Sequence, residues 1–251
     1  MVIDTHSHLN DAKFDSDRDA VIARMREASV STITVGTDLE MSRKAIEIAE
    51  KYNMWATVGQ HPTDAQDDFD ILKFRDLASN SKVVAIGECG LDYVQNKFSK
   101  LSPDDEKVRQ KKLFQQHIAL AQEVNKPLMI HCRDAYQDLL PMIPDNVRAH
   151  LHFFSGDWDI AKKCLDKGFT ISFPGTITFS HDYDEVVKNV PIDMFTIETD
   201  SPYIAPVPHR GKRNEPSYVL EVAKKVAELR GISLKEVLFA STATVMRVFA
   251  L

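Results

Sequence analysis

The sequence predicts one α/β domain, a TIM (β/α)8 barrel spanning residues 1–251, slightly elaborated by an extra C-terminal helix. Three observations predict it. The length of 251 residues suits one such barrel better than two domains. Eight short apolar runs, many β-branched, alternate with longer segments of helical spacing, which argues for right-handed βαβ units. Residues that bind metals well recur at the ends of those runs over nearly the whole chain. A closed parallel barrel is the fold that gathers strand ends from a whole chain at one mouth.

Each element contributes in turn. The first run, 1–3, leads into Asp4-Thr5-His6-Ser7-His8. Side chains at i and i+2 of a strand share a face, so both imidazoles can reach one ion, with Asp4 placed to orient a histidine. No glycine-rich loop follows this run, which disfavours a doubly wound open sheet. Helical spacing over 17–30, a second run at 32–36 and helical spacing over 41–51 come next. The third run, 54–59, ends at Gly59-Gln60-His61-Pro62. Pro62 holds His61 extended, and His61 reads as an auxiliary catalytic or substrate-contacting residue rather than a ligand. The fourth run, 82–87, ends at Gly87-Glu88-Cys89-Gly90. A carboxylate there can bridge two cations, one oxygen to each, and its flanking glycines point to tight backbone geometry. The polar connection 95–105, carrying Lys97 and Lys100, is a candidate substrate-contacting loop.

Helical spacing over 106–125 contains His117, and the fifth run, 127–131, ends at His131. Arg133 lies two residues on, where it can hold a phosphate or carboxylate. The sixth run, 148–154, places His150 and His152 on one face. His152, nearer the C-terminal rim, is the expected ligand, and His150 a core or supporting histidine. Helical spacing over 161–167 and the seventh run, 169–173, precede the eighth, 194–198. Asp200 follows at a strand end marked by the turn-forming Ser201-Pro202. There it can bind metal and hold a nucleophilic water, with Glu198 accepting hydrogen bonds behind it. His209-Arg210-Gly211-Lys212-Arg213 is the one basic cluster expected near the mouth and reads as an anion-binding loop. Helices over 217–230 and 234–249 complete the chain. His117 and His181 read as structural or solvated.

Composition narrows the function classes. A net charge of −6 disfavours broad binding along duplex DNA. No apolar run approaches the ~20 residues of a membrane span, and the first residues lack the pattern of a signal peptide, so a cytoplasmic protein without membrane contact is expected. No obligatory protein partner is evident. The three cysteines, Cys89, Cys132 and Cys164, form no CxxC and read as packing residues.

Four imidazoles (His6, His8, His131, His152), Glu88 and Asp200 are enough for two divalent ions. Their nitrogen content suits zinc, manganese or iron better than magnesium. Two ions can activate water and stabilise charge on the attacked centre and leaving oxygen, so hydrolysis, with a phosphodiester as a natural substrate, is the expected chemistry.

The motifs resemble those of the TatD family of metal-dependent deoxyribonucleases, among the amidohydrolase-like barrels. They are Asp4-Thr5-His6-Ser7-His8-Leu9, Gly59-Gln60-His61-Pro62, Gly87-Glu88-Cys89-Gly90-Leu91-Asp92-Tyr93, His131-Cys132-Arg133-Asp134-Ala135, His152-Phe153-Phe154-Ser155-Gly156, Glu198-Thr199-Asp200-Ser201-Pro202-Tyr203 and the stretch from Pro208 to Pro216. The resemblance implies one ion on His6, His8, Glu88 and Asp200 and another on Glu88, His131 and His152. It implies DNase activity, often as a 3′ exonuclease on single-stranded ends, which magnesium can support; the metal therefore stays open among zinc, magnesium and manganese. Asp200, Glu88 and His61 would be catalytic. Arg133, Tyr93, His209, Arg210 and Arg213 would contact substrate. Two positions depart from the family pattern: Phe153 stands where cysteine is usual, and Thr244 where asparagine is usual. A small-molecule ester or amide, or an aminoacyl-tRNA ester, is the alternative substrate for the same metals. A non-enzymatic scaffold would have lost ligands, and all six are present.

Overall fold

The computed structural model describes residues 1–64, 69–94 and 99–251. Lys97, and with it part of the connection expected to contact substrate, lies outside the described residues. The strands are β1 (Val2–Ser7), β2 (Val30–Val35), β3 (Trp55–Val58), β4 (Val83–Asp92), β5 (Leu128–Arg133), β6 (Ala149–Leu151), β7 (Thr170–Phe173) and β8 (Phe195–Ile197). They form one parallel sheet in chain order. Its seam closes just past β8. Ser7 bridges Ser201, the His8 N–H donates to the Ser201 carbonyl at 2.7 Å, and the Asp200 N–H donates to the His6 carbonyl at 2.9 Å. The first and last ligand-bearing segments are thus joined backbone to backbone.

Several strands run further than their apolar cores. β1 continues through His6 to Ser7, and β4 through Glu88 to Asp92, because ladder pairing carries on past the hydrophobic stretch: Gly90 opposes His131 and Asp92 opposes Arg133. An apolar run therefore marks the buried start of a strand and understates its polar end.

The helices are α1 (Arg18–Glu27), α2 (Leu39–Tyr52), α3 (Ile71–Ala78), α4 (Pro103–Val124), α5 (Tyr136–Met142), α6 (Trp158–Asp166), α7 (Asp184–Asn189), α8 (Val219–Arg230) and α9 (Leu234–Phe249). Local chemistry starts them: Asp38 accepts from the Met41 N–H, Ser102 from the Asp105 N–H before Pro103, and Asp157 from the Ile160 N–H. Ser233 and Glu236 form a capping box at α9. The sequence reading did not single out α3, α5 and α7. They have 8, 7 and 6 residues, too few for helical periodicity to stand out, and α5 contains Pro141.

Large aromatic side chains, among them Phe14, Phe74, Phe114 and Phe169, fill the main core and are fully buried. A second apolar cluster joins Val245, Val248 and Phe249 of α9 to Ile3, Ile33, Val84, Ala85 and Met129 of the barrel strands. Thr244 is buried in the same helix, so the departure there leaves α9 packed. Between that cluster and the mouth lies a polar chain. The Thr5 hydroxyl is 3.2 Å from that of Ser172 and 3.1 Å from that of Thr196, and His150 bonds Thr170 at 2.8 Å and Thr196 at 3.3 Å. His150 is a core histidine, as expected, and burial pushes its pKa down to about 3.

Candidate metal centre

Glu88 stands at the middle of the barrel mouth, almost fully buried. The strand that carries it is pressed against its neighbours. A Cβ on Gly87 would meet the Met129 carbonyl oxygen at 2.2 Å, and one on Gly90 would meet that of His131 at 2.0 Å; both have positive φ. Only glycine tolerates either condition, so the glycines flanking Glu88 let β4 bulge toward β5 and aim the carboxylate inward.

The two carboxylate oxygens face different histidine sets. Oε2 is 3.3 Å from His6 Nε2 and 3.7 Å from His8 Nε2. Oε1 is 2.9 Å from His152 Nε2, 3.2 Å from His131 Nδ1 and 3.4 Å from His61 Nε2. Asp200 Oδ1 joins the first set, 3.2 Å from His8 Nε2 and 3.8 Å from His6 Nε2. Within each set nitrogen lies close to nitrogen: His6 and His8 approach to 3.2 Å, His131 and His152 to 3.3 Å. The six predicted ligands meet in one place, and His61 meets them there. His6, His8 and Asp200, and likewise His61, Glu88 and His131, each present ligand atoms within 4.8 Å of one another. Nitrogen lone pairs converging on a buried carboxylate are the donor set a divalent cation requires, so the residues fit such an ion.

Electrostatics bind this cluster together. Burial alone would raise the Glu88 carboxyl, but the imidazoles of His152, His61 and His6 hold it well below the usual carboxylate range. Asp200 is likewise lowered against its burial, chiefly by its hydrogen bond with His8. Burial pushes His6 and His61 down. His8, His131 and His152 are raised despite burial, by Asp200, by Asp92 and by Glu88 respectively.

Partners behind the imidazoles fix their orientation. Asp92 Oδ2 lies 3.0 Å from His131 Nε2, leaving Nδ1 for the centre. Glu198 Oε1 lies 3.4 Å from His152 Nδ1 and accepts the Phe153 N–H at 2.7 Å, which matches its expected supporting place. His8 Nδ1 faces the Val35 carbonyl at 3.2 Å. Asp4 differs from expectation. It orients no imidazole; it accepts the Thr199 N–H at 2.8 Å and the Thr199 hydroxyl at 2.7 Å, tying β1 to the Asp200 segment. Burial raises its carboxyl well above the ordinary value.

The expected substrate contacts divide. Arg133 lines the cavity over Glu88, and among the described residues its guanidinium has no partner. His209, Arg210, Arg213 and Tyr93 do not line that cavity. His209 stacks on Tyr218 at 3.7 Å. Arg210 donates to the Ala205 carbonyl and lies over Phe179. Arg213 holds both Asp17 oxygens, at 2.7 and 2.8 Å, and lies over Phe14. Tyr93 donates to Asp138 at 2.7 Å. Beside the basic loop, Asn214 is fully buried, donates to the carbonyls of Thr199 and Tyr203 and braces the turn carrying Asp200. A count of positive charge in the sequence cannot show that Arg213 is already paired with Asp17 within the fold.

Two supporting residues, Asp92 and Thr63, went unread, and His117 takes a structural role, one of the two readings the sequence offered. Asp92 shares the parity of Glu88 and Gly90 along β4, a signal that was present in the sequence. Thr63, 2.7 Å from His61 Nδ1, carried no signal. His117 accepts the Gln60 N–H at 2.9 Å and donates to the Leu113 carbonyl, so this helix histidine underlies the His61 segment. Cys89 is buried as expected, whereas Cys132 packs in the core and also lines the cavity.

Comparison with known proteins agrees with this geometry. The model of the TatD related DNase family matches residues 3–250. A metal-dependent hydrolase of Bacillus subtilis, YabD, is 41% identical, with 99% of both chains covered. A 3′-5′ ssDNA/RNA exonuclease, TatD of Cronobacter sakazakii, is 35% identical over 92% of this chain and 90% of that one. The crystal structure of YjjV, a TatD homologue of Escherichia coli, superposes with a TM-score of 0.89 at 26% identity, covering 100% of this chain and 98% of its own. On the match along residues 3–250 and the barrel it shares with YjjV, this chain belongs to the TatD family of metal-dependent hydrolases.

Proposed function

We propose that this protein hydrolyses phosphodiester bonds with two divalent cations, one held by His6, His8 and Asp200 and the other by His131 and His152, with Glu88 between them. The carrying observation is the division of Glu88: one oxygen faces His6 and His8, the other His131, His152 and His61. When bound, the cations polarise a phosphoryl oxygen and lower the pKa of water. Asp200, held ionised by His8, takes the proton of the attacking water. His61, with burial keeping it neutral and Nδ1 beside Thr63, turns Nε2 toward the centre, where it positions substrate or relays a proton. Arg133, a cation of the cavity wall with no partner among the described residues, holds a non-bridging phosphate oxygen. Zinc, manganese and magnesium are the metals to compare, since imidazole nitrogen favours the first two.

The substrate class is single-stranded nucleic acid attacked from its 3′ end. The exonuclease relative, 35% identical nearly end to end, supports this reading. A small cationic contact at the mouth of a protein of net charge −6 also fits a strand end better than a long groove. The test is a matrix of each metal against 5′-labelled single-stranded DNA and RNA with free or blocked 3′ ends, beside an aminoacyl ester. Stepwise shortening from free ends alone is expected. Faster turnover of the ester than of any strand would overturn the nuclease reading.

A further inference from the structure

We propose that Phe153 is the wall on which the base of the bound nucleotide stacks; this rests on the nuclease reading for its substrate class. The cavity over Glu88 has a volume of about 810 Å³, far more than two cations and a phosphate need and ample for a nucleotide. Phe153 lines it beside Arg133 and Ser155. The neighbouring Phe154 is fully buried in the core, so the chain sends one aromatic inward and keeps the other at the mouth.

The backbone is held to do this. Phe153 has φ of 44°, a left-handed conformation that a bulky side chain avoids and that persists when its surroundings enforce it. The enforcing contact is its N–H, donated to Glu198 Oε1 at 2.7 Å. The same carboxylate lies 3.4 Å from His152 Nδ1. One buried group thus sets both an imidazole of the centre and the ring beside it.

The ring lines the cavity without a stacked partner among the described residues. Its aromatic neighbour is His152, edge-on at 6.3 Å, and among the described residues no cation or ring lies over its face. Tyr203, which flanks the centre at His8, differs: Lys13 lies over its ring at 4.2 Å and its hydroxyl is tied to Asp11. Tyr203 is a fixed flank, whereas Phe153 shares the cavity lining with Arg133 and has no ring or cation stacked on it among the described residues. Phosphate on Arg133 and base on Phe153 make a nucleotide-shaped pair of contacts, and stacking accepts every base.

The test uses the whole protein with manganese and a single strand whose 3′-terminal base is 2-aminopurine, joined by a methylphosphonate that resists hydrolysis. Wild type is expected to quench the fluorophore on binding. Phe153→Ala and Phe153→Leu are expected to lose the quenching and Phe153→Trp to keep it. A parallel assay compares cleavable strands ending in a normal or an abasic nucleotide. Wild type should favour the normal end by about 5- to 150-fold in kcat/KM, and Phe153→Ala should lose that preference through KM while leaving the abasic end unchanged. No quenching by wild type, equal quenching by Phe153→Leu, or equal losses on both strands would overturn the proposal. Quenching without hydrolysis of any strand would sink the nuclease reading and leave the stacking wall standing.

Discussion

Glu88→Gln isolates charge from shape. The amide keeps the volume of the side chain, so the mouth stays filled, but the group that faces both histidine sets loses its charge. Five imidazole nitrogens lie 2.9 to 3.7 Å from its oxygens. At an effective dielectric near 20, unit charges about 3.3 Å apart interact by roughly 5 kcal/mol. Removing one member of a buried charge pair costs about 3–5 kcal/mol in practice. Applied to the cation facing each oxygen, that is a loss of about two to four orders of magnitude in affinity at both positions. The assay is metal content after desalting, followed by titration with manganese or zinc and turnover at saturating metal. Wild type should retain two cations; the variant should retain one or none and turn over at least about a hundredfold more slowly. Glu88→Asp should fall between them, since the shorter chain reaches one set at the expense of the other. Glu88→Gln holding two cations with turnover within tenfold of wild type would refute the bridging argument.

Four further outcomes follow from the same geometry. Asp92→Asn removes the carboxylate behind His131 and should cost about 10- to 100-fold in metal affinity or activity, read by the same titration. Arg133→Ala should raise KM for nucleic acid with metal content and melting temperature unchanged. Arg213→Ala should do the reverse: it breaks a half-exposed pair with Asp17, so stability should drop by up to about 1 kcal/mol with KM unmoved. His117, whose pKa burial pushes down to about 4, stays neutral in the fold while an unfolded histidine protonates near 6.5. Its contribution is intact above pH 6.5 and declines as pH falls toward 4. Relative to His117→Gln, wild type should therefore lose about 2 kcal/mol between pH 7 and pH 5, measured by denaturant titration in chelator.

The sequence disclosed the centre more fully than the rim. His6, His8, Glu88, His131, His152 and Asp200 could be read because strand parity and strand ends are local properties, and the barrel supplied the one missing step, their convergence. Contacts that arise only on closure were not legible. Arg213 is committed to Asp17 and Asp4 to Thr199, pairs that lie 196 and 195 residues apart. Phe153 looks like any aromatic beside Phe154 until its backbone angle separates them. The short helices α3, α5 and α7 were hidden by their length, whereas α9, at 16 residues, was long enough for its helical spacing to show.

The seam between Ser7 and Ser201 also constrains the order of events during synthesis. The cation site proposed beside β1 needs a carboxylate that leaves the ribosome nearly two hundred residues after its histidines. A nascent chain can therefore gather His6 and His8 early but cannot complete that site until Asp200 is out. Because cation binding is itself folding free energy, the metals would reward only the finished barrel, and hydrolytic power would arrive as the last step of assembly.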